Sequence, residues 1–158
     1  MEDLSMISNG TKTCLTEEEI KFFDWVHEIA EHHKYNPSFV PWNDGENRAL
    51  FKEYGIVDKH DKINKPIEIT SSLQGEVQFK CPNGKKVSKK FIEHLRNSYA
   101  HLYIERIPAS GAIHLQDWKP IEKGKIMVCT MDLIVPFDFL KKLTDLILKN
   151  YINKTITK

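Results

Sequence analysis

The stretch SKKFIEHLRNSYAHLYIERI, residues 88–107, decides how the chain is read. It holds neither glycine nor proline and stops before Pro108. Ser88 stands where an N-cap hydroxyl would accept a backbone N–H, so a helix is predicted from Lys89 to about Ile107. At about 100° per residue, with Phe91 at zero, Ile92, Leu95, Tyr99, Leu102 and Tyr103 fall within an arc of about 120°. That arc is the core stripe. Arg96 lies at about 140°, Asn97 at about 240°, His101 at about 280° and His94 at about 300°, all off it. Asn97 and His101 are one turn apart and close enough to touch.

Working outward, the remaining segments read as further helices. Thr16 and Glu19 form a capping box, in which the threonine hydroxyl accepts from the third helical N–H and the glutamate reaches back. The helix it opens runs to about His33, with Ile20, Phe23, Val26, Ile29 and Ala30 near helical spacing. A short helix is predicted from Glu46 to Tyr54, with Gly55 as its C′ glycine. Pro136 opens a last helix to about Tyr151, striped by Phe137, Leu140, Leu143, Leu146 and Ile147. Val77–Phe79 and Val87 flank Pro82-Asn83-Gly84, where a small hairpin is one option. Residues 109–130 carry Gly111, Pro120 and Gly124 between alternating segments. The expected fold is therefore mainly α: a four-helix bundle with a long insertion before the last helix, in which a β-hairpin is one option. A flexible tail is expected over residues 1–14 and a single domain over 15–158.

Composition narrows the function classes. In 158 residues, 23 Lys+Arg against 22 Asp+Glu leave a formal charge of +1, which excludes a globally basic nucleic-acid coat but not a local patch. No apolar run reaches the roughly 18 residues of a membrane span, and the N-terminus lacks the apolar region of a signal peptide, so a cytoplasmic protein without membrane contact is expected. Three well-separated cysteines, Cys14, Cys81 and Cys129, support neither a disulfide framework nor a zinc site. His27-Glu28 and His32 miss the zinc-binding H-E-x-x-H spacing by one residue, so the imidazoles diverge and no metal is expected.

Arg96, Asn97 and His101 carry the chemistry. Breaking RNA without a metal needs a base for the 2′-hydroxyl, an acid for the leaving 5′-oxygen and a cation for the crowded phosphorus centre. Histidine can serve as base or acid near neutral pH, and arginine meets phosphate with a planar, permanently charged fork. The asparagine amide could hold a ring tautomer or a phosphate oxygen. In a chain with 3 Arg, 9 Asn and 7 His, the pattern R-N-x-x-x-H is expected by chance only about 0.008 times.

That pattern resembles the signature of the HEPN superfamily, loosely R-x(4–6)-H, and the layout over residues 16–150 is similar to bacterial HEPN proteins. The resemblance implies a helical bundle that dimerises through the motif helix. It also implies a cofactor-free, metal-independent endoribonuclease with Arg96, Asn97 and His101 as catalytic residues. Toxin–antitoxin or other defence roles, and a cognate antitoxin protein as partner, belong to the same implication. Lys85, Lys86, Lys89 and Lys90, with Lys80 and Arg96, make a basic approach opposed only by Glu93, and these lysines and His94 are candidate substrate contacts for RNA. The rival reading is a non-catalytic HEPN-like module for RNA binding or dimerisation.

Overall fold

A computed structural model describes residues 15–32, 40–60, 75–81, 86–107 and 110–156. The elements run α1 (Glu17–His32), α2 (Gly45–Tyr54), β1 (Val57–Asp58), β2 (Glu76–Phe79), α3 (Val87–Ala100), β3 (Ile104–Arg106), β4 (Ala112–Ile121), β5 (Ile126–Pro136) and α4 (Phe137–Ile156). This is an α/β fold and not the mainly helical bundle expected. Five strands form one mixed sheet in the order β1-β2-β5-β4-β3, parallel between β1 and β2 and antiparallel elsewhere.

The expectation failed in the weight it gave the strands. The β-hairpin that was one option for residues 109–130 is formed by β4 and β5, but it is the sheet's centre and not an insertion. Val77–Phe79 makes no hairpin with Val87; it pairs with Met131–Leu133, more than fifty residues away, while Val87 opens α3. The motif helix also ends at Ala100, well short of Ile107. Leu102 takes a left-handed φ of 61°, which breaks the helix and turns the chain into β3. Ser88 does not cap it; Lys86 stands at the N-cap without a side-chain bond, and the Ser88 hydroxyl donates to the Val40 carbonyl at 2.7 Å.

Local chemistry elsewhere matches the sequence reading. The capping box is formed, with the Glu19 amide donating to Thr16 Oγ1 at 3.1 Å and the Thr16 amide to Glu19 Oε1 at 2.8 Å. Gly55 closes α2 at φ 64°, a conformation that costs glycine no Cβ clash.

One core lies between the helices and one sheet face. Val77, Phe79, Leu115, Met131 and Leu133 alternate inward from the strands and meet Phe91, Ile92 and Leu95 from α3 and Phe139 and Leu140 from α4. Phe23 of α1 stacks on Tyr99 of α3 with centroids 5.6 Å apart, fixing the two helices side by side. Trp42 packs against Phe51, Phe79 and Phe91, and its indole N–H donates to Asp58 at 2.8 Å. The opposite sheet face is polar, with His114, Gln116 and Asp132 joined by hydrogen bonds. No described helix is long and apolar enough to cross a membrane.

Two consequences are measurable. Thr16→Ala removes one half of the capping box and should cost about 1 kcal/mol in urea unfolding. Burial alone would raise the Asp58 carboxyl, but hydrogen bonds from His60 and Trp42 outweigh it and hold Asp58 below its ordinary value of 3.8. A lowered carboxylate stabilises the fold above its unfolded value and loses that contribution as pH falls through the folded one. Stability should therefore drop below about pH 4, and Asp58→Asn should be less stable at neutral pH with a flatter acid limb.

Candidate functional site

The site is built on the half-exposed stripe of α3. Lys89, Lys90, Glu93, Arg96 and Asn97 recur at helical spacing along it, and the exposed Ala100 continues it. The buried face of the same helix, Phe91, Ile92, Leu95 and Tyr99, locks the rod against the sheet and α1. The Tyr99 hydroxyl donates to Asp24 of α1 at 2.6 Å. Burial first, and then that hydrogen bond, push the phenol above its ordinary range, so it remains a neutral donor.

Arg96 and Asn97 act as a joined pair. Arg96 Nη1 donates to Asn97 Oδ1 at 3.0 Å, while Arg96 Nη2 is ion-paired with Glu31 of α1. The Arg96 side chain is 37% exposed, so the guanidinium borders solvent with a carboxylate on it. Asn97 Nδ2 in turn donates to Asp117 Oδ2 of β4 at 3.2 Å.

His101 is placed differently. It is the C-cap of α3, with φ −100° and an exposed side chain, and its backbone N–H donates to the Asn97 carbonyl at 3.0 Å. The link between Asn97 and His101 is thus through the backbone, where a side-chain contact was expected. Five helical positions separate Arg96 from His101, so their side chains leave the rod about 140° apart.

The other candidates separate into two groups. Lys86 is exposed at the far end of α3, about 22 Å along the axis from His101. Lys89 and Lys90 are half-buried, and Lys90 pairs with Glu93 at 3.6 Å. Lys85 lies outside the described residues. Lys80, expected on the basic approach, is buried at the end of β2. His94 lines no open path to substrate: it is 3% exposed, with Nδ1 2.6 Å from Asp117 Oδ2 and Nε2 2.9 Å from the Lys80 carbonyl. The helical projection put it off the core arc, but β4 and the end of β2 close over that side of α3.

Sequence reasoning missed Glu31 and Asp117, which reach the motif from other elements. Glu31 had no local signal. Asp117 had one: it continues the inward register of Ile113 and Leu115, where an acid is out of place unless something inside needs it. Among the described residues no group of acidic, histidine or cysteine side chains has metal-binding geometry.

In comparisons with known proteins, no curated protein and no solved structure matches this chain. A family model described as HEPN pEK499 p136 matches residues 26–154, from within α1 almost to the end of α4. That match spans most of the sequence and includes the whole motif helix, and the chain belongs to this HEPN family.

Proposed function

We propose that the chain is a homodimeric, metal-independent endoribonuclease acting through Arg96, Asn97 and His101. Membership of a HEPN family supports an RNA-related role. The observation that carries the finer reading is the pairing of the solvent-bordering Arg96 guanidinium with the Glu31 carboxylate. The cation already holds an oxyanion, and a phosphodiester can exchange with it. The exposed His101 imidazole sits one turn along the same helix.

The reaction follows from these groups. The 2′-hydroxyl attacks the adjacent phosphorus, losing its proton to a histidine base. The P–O5′ bond breaks, and a proton is delivered to the departing 5′-oxygen. The products carry 2′,3′-cyclic phosphate and 5′-hydroxyl ends. Arg96 neutralises charge on the phosphorane oxygens, and Asn97 holds the guanidinium. Because Arg96 and His101 diverge on one helix, two copies of α3 placed face to face supply the converging set. The small exposed Ala100 beside His101 leaves room for that approach. Lys86, Lys89, Lys90 and the adjoining Lys85 would draw the RNA along the stripe. A toxin or defence role with a protein antitoxin belongs to the same proposal.

A second reading has its own observation. The His101 ring has no orienting hydrogen bond within one chain among the described residues, as an RNA-binding module without cleavage would allow. One assay separates the two. With chelator present, the wild type should cleave single-stranded RNA, His101→Ala should lose about 10²–10⁴-fold and Arg96→Ala about 10²–10³-fold. Salt-sensitive RNA binding without cleavage, unchanged by His101→Ala, would establish the binding module instead.

A further inference from the structure

The Arg96–Asn97 pair does not end at the surface; it is the outer end of a line of hydrogen bonds that begins inside the protein. We propose that Asp117 and His94 are positioning residues for the motif, setting the Arg96 guanidinium from the core through Asn97. The kinetic part of this inference rests on the ribonuclease reading; the structural part does not.

Donor and acceptor chemistry fixes the line at its two ends. Arginine only donates, so the Asn97 atom facing Arg96 Nη1 at 3.0 Å must be the carbonyl oxygen. The Asn97 NH₂ group then faces Asp117 Oδ2 at 3.2 Å, which accepts. A backbone carbonyl also only accepts, so His94 Nε2, 2.9 Å from Lys80 O, carries a proton. The other ring nitrogen meets Asp117 Oδ2 at 2.6 Å. The asparagine amide is thereby oriented by a carboxylate behind it and an arginine in front.

The fold holds this line rigidly. His94 is 3% exposed and Asp117 5%. A β-bulge in β5 leaves Thr130 unpaired opposite the Asp117–Trp118 step of β4, and the Asp117 carbonyl accepts from the Thr130 hydroxyl at 3.0 Å. The bulge stands beside an acid that points at α3 from a register otherwise held by Ile113 and Leu115. A carboxylate buried at such a position is poor value for stability compared with an aliphatic residue. At the outer end, Arg96 Nε is buried without a hydrogen-bond partner among the described residues. Asn97 and Glu31 are therefore the groups that set the guanidinium's attitude, and only Asn97 is tied to the core.

Both His94 and Asn97 bond the same carboxylate oxygen, which makes Asp117→Asn a sharp probe. An amide oxygen there still accepts from the Asn97 NH₂ group but with less charge, and an amide nitrogen there opposes it. In the full chain, Asp117→Asn should lower kcat on single-stranded RNA about 10–100-fold, with KM changed less than about threefold. Asn97→Ala should do the same. The double variant should be no slower than the slower single one, because Asp117 acts through Asn97. Multiplied losses, or a wild-type kcat in Asp117→Asn, would overturn the proposal. A structural readout is independent of cleavage and of whether any variant folds. In ¹⁵N-resolved spectra of the wild type, the Asn97 amide protons should exchange slowly and His94 Nε2 should carry a proton. Rapid exchange at Asn97, or a bare Nε2, would refute the line even if RNA is never cut. Silence in the RNA assay with the spectra as expected would sink only the ribonuclease reading.

Discussion

The long antiparallel pairing of β4 with β5 is the constraint on which the rest of the molecule depends. It runs from Ala112 against Pro136 to Ile121 against Ile126, and both flanking strands take their register from it. β2 pairs on one side through Met131–Leu133, and β3 on the other through Ile113–Leu115. Because side chains alternate along a strand, that register decides which residues look inward. Leu115, Met131 and Leu133 form the floor on which α3 and α4 lie, while Gln116 and Asp132 are turned to the polar face. A slip of one residue would exchange the two sets.

Helical signals were legible because they are local. The Thr16–Glu19 box, Gly55 after α2 and the apolar stripe after Pro136 each rest on interactions spanning a few residues, and the structure contains all three elements. Of the sheet, only the alternation of its central hairpin was legible. β2 has four residues and β3 three, too short to show a period, and the antiparallel partner of β2 lies more than fifty residues away. The projection of the motif helix extended past its true end because residues 102–107 keep an apolar spacing, whereas the left-handed turn at Leu102 has no glycine to announce it.

The motif's residue types and its helix were legible, and its surroundings were not. Helical angles on α3 separate Arg96 and Asn97 from the apolar stripe, and both border solvent in the fold. Angles cannot say what lies opposite. Glu31 arrives because Phe23 and Tyr99 stack α1 along α3, and Asp117 because β4 passes beneath it. The same strand turns His94 from a presumed surface residue into a buried one. Function in this fold is therefore read from what the sheet brings up to the helix as much as from the helix itself.

The strand order also has a consequence for how the chain reaches its native form. β2 sits between β1 and β5, so residues 76–79 gain their antiparallel neighbour only after residues 131–133 exist. During synthesis the first half of the molecule thus waits, its strand edge unsatisfied, for the hairpin that completes it. Contacts of such sequence separation carry a loop-closure cost before any reward, which slows folding relative to an all-helical bundle of equal length. The hairpin, by contrast, closes on itself through a four-residue turn, Glu122–Lys125, so its own pairing carries only a small loop-closure cost.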